Sequence, residues 1–177
     1  MNEMYDHIEK YLSKEVRTDI RLLISDFTIL WSNYEKYLFK NGYSWKKAIY
    51  KYINSKYKFS DDFKNIILTL RNDLFCYLND RKIEFNYEII VNKFSIRIRD
   101  DNNGIGDLSK KELLEIMKLE EFKDVLAFLF LIVGRVRNNM FHGIKQVKEL
   151  EDNKNLFILC NKFLSLMLKE TNMLVFI

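Results

Sequence analysis

The sequence contains no proline and only five glycines in 177 residues. These two residues interrupt helices and strands most strongly, so their scarcity argues against short, broken elements and predicts long helices. Almost half of the residues are apolar, which excludes a disordered chain. Because no internal repeat, linker or low-complexity tract is visible, the sequence predicts one all-α domain over residues 1–177.

Histidine and cysteine each occur only twice. Cys76 and Cys160 fall within apolar helical patterns, where a lone cysteine usually behaves as a small buried hydrophobe, so we expect free thiols in a reducing compartment. Neither His7 nor His142 has a partner at metal-ligand spacing. The sequence therefore predicts no metal site and no cofactor.

A strong excess of one charge and a long apolar span are also absent. The formal net charge is +4 with a pI near 8.9, which permits a polyanionic partner without demanding one. The N-terminus, MNEMYDHIEK, is polar, and the run LAFLFLIVG at 126–134 is too short to span a bilayer. We expect a cytoplasmic protein with no membrane partner.

Apolar residues recur at helical spacing along most of the chain, and polar residues mark where each helix begins and ends. Ser44 and Ser60 are expected to cap helices, Ser109 with Glu112 has the spacing of a capping box, and Asn41-Gly42 supplies a left-handed stop. The predicted helices cover about 3–14, a long stretch up to Asn41, a short stretch after Ser44, about 60–79, a stretch after Ser109, 121–142 and 153–172.

Residues 81–108 lose the helical period. The strings KIEFNYEII and KFSIRIR are typical of locally extended chain, and DDNNGIGD has the composition of a loop. The predicted fold is therefore a single-domain antiparallel helical bundle with an irregular, partly extended insertion around 81–108.

The apolar helix at 121–142 ends in the polar string RVRNNMFHG, residues 135–143. Helical spacing places Arg135, Asn138, Asn139 and His142 on one face. Arg137 lies roughly 140° around the helix from His142. Gly143 is in the position where glycine caps a helix, and a histidine there can have the purely structural role of binding the last carbonyl groups.

The residues Arg137-Asn138-Asn139-Met140-Phe141-His142-Gly143 resemble the signature of the HEPN superfamily, an arginine, a polar residue, and a histidine four to six positions after the arginine. The resemblance implies a compact all-α bundle and a metal-independent endoribonuclease of the toxin or phage-defence kind, with an active site assembled across a homodimer. It also implies catalytic roles for Arg137, Asn138 and His142. We predict Arg135 and Asn139 as substrate-binding residues.

These residue types suit RNA cleavage, in which a ribose 2′-hydroxyl attacks the adjacent phosphate. Histidine, whose ordinary pKa is about 6.5, can transfer protons at cellular pH. The planar donors of arginine match phosphate oxygens. Asn138, one turn before His142, is placed to orient the imidazole ring or the substrate. Two chains related by a two-fold axis would bring both motifs to one groove, with the apolar helix as the interface.

A second basic stretch, KNGYSWKKAIYKYINSKYKFS at 40–60, contains six lysines, several aromatic residues and no acidic residue. It could form a platform on which RNA bases stack. Most of its aromatic residues also obey the spacing of a helix core, so burial is the alternative.

Two other functions compete with RNA cleavage. The first is a non-catalytic HEPN-like module that dimerises or binds a nucleotide or RNA, and the second is an all-α interaction subunit in which the motif occurs by chance. If the chain is a toxin, a nucleotidyltransferase-type antitoxin is the partner that we would expect.

Overall fold

The computed structural model describes residues 18–40, 42–99, 108–142 and 152–171, apart from the side chains of Thr18, Phe141 and His142. The helices in this part of the chain are α1 (Thr18–Leu38), α2 (Trp45–Ala48), a π-helical segment (Ile49–Ile53), α3 (Asp61–Asp80), α4 (Tyr87–Lys93), α5 (Lys110–Ile116), α6 (Phe122–His142) and α7 (Lys154–Glu170). The described ranges contain one isolated β-bridge and no strand, so the all-α fold is confirmed. The helix expected at 3–14 and the cap expected at Gly143 lie outside these ranges.

Side-chain caps set where several helices begin. Ser44 and Ser60 accept hydrogen bonds from Lys47 N and Phe63 N, and Ser109 forms the expected reciprocal capping box with Glu112. Beyond the C-terminal end of α1, Gly42 has a φ of +85°, a left-handed conformation that glycine adopts without strain. These local predictions are confirmed.

The prediction of extended chain over 82–90 is wrong for residues 87–90, because α4 occupies Tyr87–Lys93. Asn86 caps this helix by accepting a hydrogen bond from Ile89 N, and Ile90 is fully buried. Seven residues are too few for a helical period to be evident in the sequence. The following KFSIRIR segment is partly extended, as expected, and Ile98 forms the isolated bridge with Leu108.

Helix α6 is the centre of the bundle and packs against α2, the π-helical segment, α3, α5 and α7. Helices α3 and α7 run antiparallel, with Asp80 bound to Asn155 and Asp73 to Lys162. Contacts between α1 and α7 instead advance in the same direction along both helices, from Asp19 and Lys154 to Leu23 and Asn161. None of the helices within the described ranges combines the length and apolar character needed to cross a membrane.

Two expectations about buried residues need correction. Cys160 is buried and burial raises the pKa of its thiol, whereas Cys76 is exposed on α3; both are free thiols. The apolar part of α6 was expected to supply a dimer interface, but every residue from Val125 to Val133 is already buried inside one chain. That part of the helix satisfies its hydrophobic surface within the bundle.

Candidate functional site

The polar end of α6 emerges from the core beside a cleft of about 140 Å³. Residues from α1, from the segment before α2, from the segment after α4 and from α6 line it together: Trp31, Glu35, Tyr43, Ser44, Trp45, Arg97, Leu131, Gly134, Arg135, Arg137 and Asn138. We call this the arginine cleft. It brings together three of the five residues predicted for the site, namely Arg135, Arg137 and Asn138.

Arg137 is the predicted catalytic arginine, and neighbouring groups restrict its half-buried side chain. Its guanidinium carbon lies 5.9 Å from the centre of the Trp31 ring, a cation–π contact. Its Nη1 donates a hydrogen bond of 3.1 Å to Asn138 Oδ1. Asn138 therefore helps to orient Arg137. The sequence had predicted that it would orient His142 or the substrate.

Arg135 is almost fully buried, with 9% of its surface exposed. Its Nε donates to the Phe94 carbonyl over 3.4 Å, and its Nη2 donates to the Ser95 carbonyl. These bonds tie α6 to the chain that follows α4. They place Arg135 as a structural link at the base of the cleft, and they hold the segment that carries Arg97.

The wall formed by residues 43–45 is attached directly to the backbone of α6. The Tyr43 hydroxyl donates to the Phe130 carbonyl, and Trp45 Nε1 donates to the Ala127 carbonyl over 3.1 Å. A Cβ atom at Gly134 would lie 2.6 Å from Tyr43 Cε1, which is closer than any side chain tolerates. Glycine at 134 therefore permits the edge of the tyrosine ring to approach α6 closely.

Glu35 joins the same wall to α1. Its Oε1 accepts a hydrogen bond of 3.0 Å from the Tyr43 backbone N–H, and its Oε2 accepts one of 3.0 Å from Trp31 Nε1. The carboxylate thus fixes both the tyrosine and the ring over which Arg137 lies. Glu35 is the one carboxylate among the lining residues, which include three arginines, so the formal charge of the lining is positive.

Sequence reasoning missed Arg97, Glu35 and the aromatic wall. A usable signal for Arg97 was the alternation in KFSIRIR, because Ile96 is buried while Arg97, pointing the other way, is exposed at the cleft. Glu35 carried no such signal, since its role depends on a contact with residue 43 that only the folded chain creates.

The remaining predicted residues are placed less completely. Asn139 is half-buried and is not among the residues that line the cleft. His142 is the last residue of α6, four positions after Asn138, and its side chain lies outside the described part of the structure. The backbone places His142 one helical turn beyond the cleft residue Asn138.

The arginine cleft has three guanidinium groups and one carboxylate, so it suits an anionic ligand, and phosphate in particular fits planar arginine donors. Among the described residues, His, Cys, Asp and Glu side chains nowhere gather in the groups of three or more that could hold a metal ion.

No protein-family model matches the chain, and comparisons with curated proteins and with solved structures give no match. The resemblance to the HEPN signature therefore depends on the seven-residue motif and on the all-α architecture.

Proposed function

We propose that the chain is a metal-independent endoribonuclease that cleaves RNA through attack of a ribose 2′-hydroxyl on the adjacent phosphate. The observation that carries the proposal is the position of Arg137, restrained by Trp31 and Asn138 at an open cationic cleft. The same helix ends at His142 one turn further on. An arginine and a histidine are the two groups that the reaction needs, and the resemblance to HEPN nucleases assigns them these roles.

In the proposed reaction the 2′-oxygen bonds to phosphorus and the bond from phosphorus to the 5′-oxygen breaks. The products are a 2′,3′-cyclic phosphate and a 5′-hydroxyl. One proton leaves the 2′-hydroxyl and one reaches the 5′-oxygen, and His142 is the proton-transfer group. Arg137 stabilises the negative charge that develops on the phosphoryl oxygens.

The proposal includes a homodimer with a composite active site, because Arg137 lies roughly 140° around α6 from His142 and a second chain can bring its His142 to Arg137 of the first. Because Val125–Val133 are buried within one chain, we propose this contact at the polar end of α6, which carries both residues. We expect an equal mixture of refolded Arg137→Ala and His142→Ala chains to recover part of the lost activity, since mixed dimers would regain one intact site. If the chains are shown to exchange between dimers and the mixture still recovers no activity, the composite site is contradicted.

In the cell we propose a cytoplasmic toxin or phage-defence effector, which a nucleotidyltransferase-type antitoxin would restrain. A second candidate function is a module that binds RNA or a nucleotide without cleaving it. One observation favours this alternative: Arg97, Arg135 and Arg137 line the cleft together, and guanidinium groups match phosphate oxygens without any cleavage step.

The test is the cleavage rate of a fluorescent single-stranded RNA in excess chelator by the wild type, Arg137→Ala and His142→Ala. Arg81→Ala is the matched control, because Arg81 is an exposed guanidinium that does not line the cleft and pairs with Asp152. We expect Arg137→Ala and His142→Ala each to lose at least 99% of the activity, as about 10²-fold or more is typical for general acid-base and oxyanion-stabilising groups. The control should retain wild-type activity.

RNA binding without cleavage by the wild type would favour the binding module. If all four proteins cleave RNA equally, neither Arg137 nor His142 takes part in cleavage, and the proposed active site is contradicted. A thermal melt of each protein separates loss of activity from loss of folding.

A further inference from the structure

A second concave surface is lined by Lys47, which follows the cleft residue Trp45 by two positions, and we call it the lysine groove. It measures about 550 Å³ and lies between the end of α1 and the π-helical segment. Its lining residues are Leu38, Phe39, Lys40, Lys47, Tyr50, Lys51 and Ser55. Three of them are lysines and none is acidic, so the groove has a positive surface.

The groove's lysines are held close together by the fold. Lys51 Nζ donates to the Leu38 carbonyl over 2.8 Å and lies over the rings of Phe39 and Tyr52, at 5.6 and 5.1 Å from their centres. Burial lowers the pKa of Lys51, and the positive charge of Lys40 lowers it further. Two like charges are therefore neighbours, and a bound anion would relieve their repulsion.

Tyr50 gives the groove an aromatic surface that the core does not use. Most of its side chain is exposed, with 77% of its surface open to solvent, whereas Tyr52 two residues later is buried at 3%. Both residues belong to the π-helical segment, whose wider turn is seen where Asn54 N donates to the Ile49 carbonyl, five residues back, over 2.9 Å. Such turns are frequent at functional sites.

The lysine groove and the arginine cleft share one wall. Tyr43, Ser44 and Trp45 line the cleft, and Lys47, on the first turn that Ser44 caps, lines the groove. Lys47 Nζ donates to the Gly42 carbonyl over 3.0 Å, which keeps this lysine beside the shared wall. Residues 42–47 therefore connect the two surfaces.

We propose that the lysine groove binds single-stranded RNA that continues from the arginine cleft, with phosphates at Lys40 and Lys47 and a base stacked on Tyr50. The inference deepens the proposed function and rests on it for the identity of the ligand as RNA. An exposed aromatic ring flanked by lysines fits a polymer that alternates bases with phosphates. An acidic protein would use the lysines but has no comparable need for an open aromatic face.

The experiment measures the affinity of a fluorescent 2′-O-methyl oligoribonucleotide, which cannot be cleaved, by anisotropy at several salt concentrations. Tyr50→Ala removes the ring and Tyr50→Phe retains it, while Lys40→Gln with Lys47→Gln removes two charges. Lys118→Gln with Lys123→Gln is the matched control, because both lysines are exposed at α5 and α6 outside the groove. Cleavage of a dinucleotide, too short to reach the groove from the cleft, is measured in parallel.

We expect Tyr50→Ala to weaken binding about tenfold and Tyr50→Phe to bind like the wild type, since stacking needs the ring alone. The double lysine variant should lower the slope of log affinity against log salt by about 1.4, which is roughly 0.7 per lost phosphate contact on a single strand. Dinucleotide cleavage should stay at the wild-type rate in all groove variants.

Affinity unchanged in Tyr50→Ala, or a lysine effect no larger than that of the Lys118 and Lys123 control, would overturn the groove proposal. Displacement of the RNA by polyglutamate together with unchanged affinity in Tyr50→Ala would assign the surface to an acidic protein instead. If the groove variants behave as expected while the wild type cleaves neither the dinucleotide nor a long unmodified RNA, the groove is supported and the nuclease function fails.

Discussion

The arginine cleft and the lysine groove are both cationic, but they hold their charges differently. In the cleft, Arg135 is bonded to two carbonyl groups and Arg137 lies between a ring and an amide. In the groove, Lys40 and Lys47 are exposed, and only Lys51 is anchored over aromatic rings. A guanidinium group with fixed geometry can stabilise charge that develops at one reacting atom. Exposed lysines can attract an RNA strand but do not fix the position of any one of its atoms.

The largest expected effect separates the two surfaces by kinetics. Arg137→Ala should lower kcat by 10²- to 10³-fold, since it removes a donor that acts on charge formed in the transition state. Lys40→Gln with Lys47→Gln should raise KM for a long RNA and leave kcat unchanged. Steady-state kinetics on one long substrate measures both. If Arg137→Ala changed only KM, Arg137 would act in binding, as the groove lysines do. The proposed difference between the cleft and the groove would then be contradicted.

The second effect separates Arg135 from Arg137 within the cleft. Arg135→Met should lower the free energy of unfolding by about 2–3 kcal/mol, because the Phe94 and Ser95 carbonyls lose a charged donor in a buried place. Arg137→Met should change it by less than about 1 kcal/mol, since its side chain is only half-buried. Urea unfolding of both variants makes the comparison, and equal losses would contradict the structural role given to Arg135.

The third effect concerns the wall that the cleft and the groove share. Gly134→Ala should destabilise the protein by about 1–2 kcal/mol, because the new methyl group would meet the Tyr43 ring, and this outweighs the gain of about 1 kcal/mol from helix propensity. In a Tyr43→Ala background the same change should become stabilising. A double-mutant cycle by urea unfolding measures the coupling. Additive effects would mean that the ring does not press on Gly134.

The smallest effect is a pH dependence in the capping box of α5. Burial acts to raise the pKa of Glu112, but hydrogen bonds with Ser109 and the charge of Arg99 lower it below its ordinary value. The carboxylate therefore stabilises the fold at neutral pH, and this contribution disappears as pH falls below about 4.3 and through the lowered pKa. Glu112→Gln should flatten the stability profile in that acidic window by less than about 1 kcal/mol, since the pair is partly exposed. If the stability of Glu112→Gln fell with pH as steeply as that of the wild type, Glu112 would not be a source of the pH dependence.

Local patterns predicted most of the fold and part of the site. The serine caps, the capping box and the length of α6 could be predicted because each depends on neighbours in the sequence. Helix α4 was missed because one buried isoleucine and an asparagine cap define it, and neither produces a helical period over seven residues. The motif predicted Arg137 and Asn138 as site residues, and both line the arginine cleft. It gave no indication that Arg135 is buried, or that Trp31, Glu35 and Arg97 meet them, because those contacts join segments far apart in the chain.

The most direct test of the central claim is the chemical identity of the RNA ends that the wild type produces in excess chelator, determined by mass spectrometry. Attack by the 2′-hydroxyl predicts a 2′,3′-cyclic phosphate on one fragment and a 5′-hydroxyl on the other, with both products absent for His142→Ala. Fragments that instead have 3′-hydroxyl and 5′-phosphate ends would show that water is the nucleophile and would contradict the mechanism proposed for Arg137 and His142.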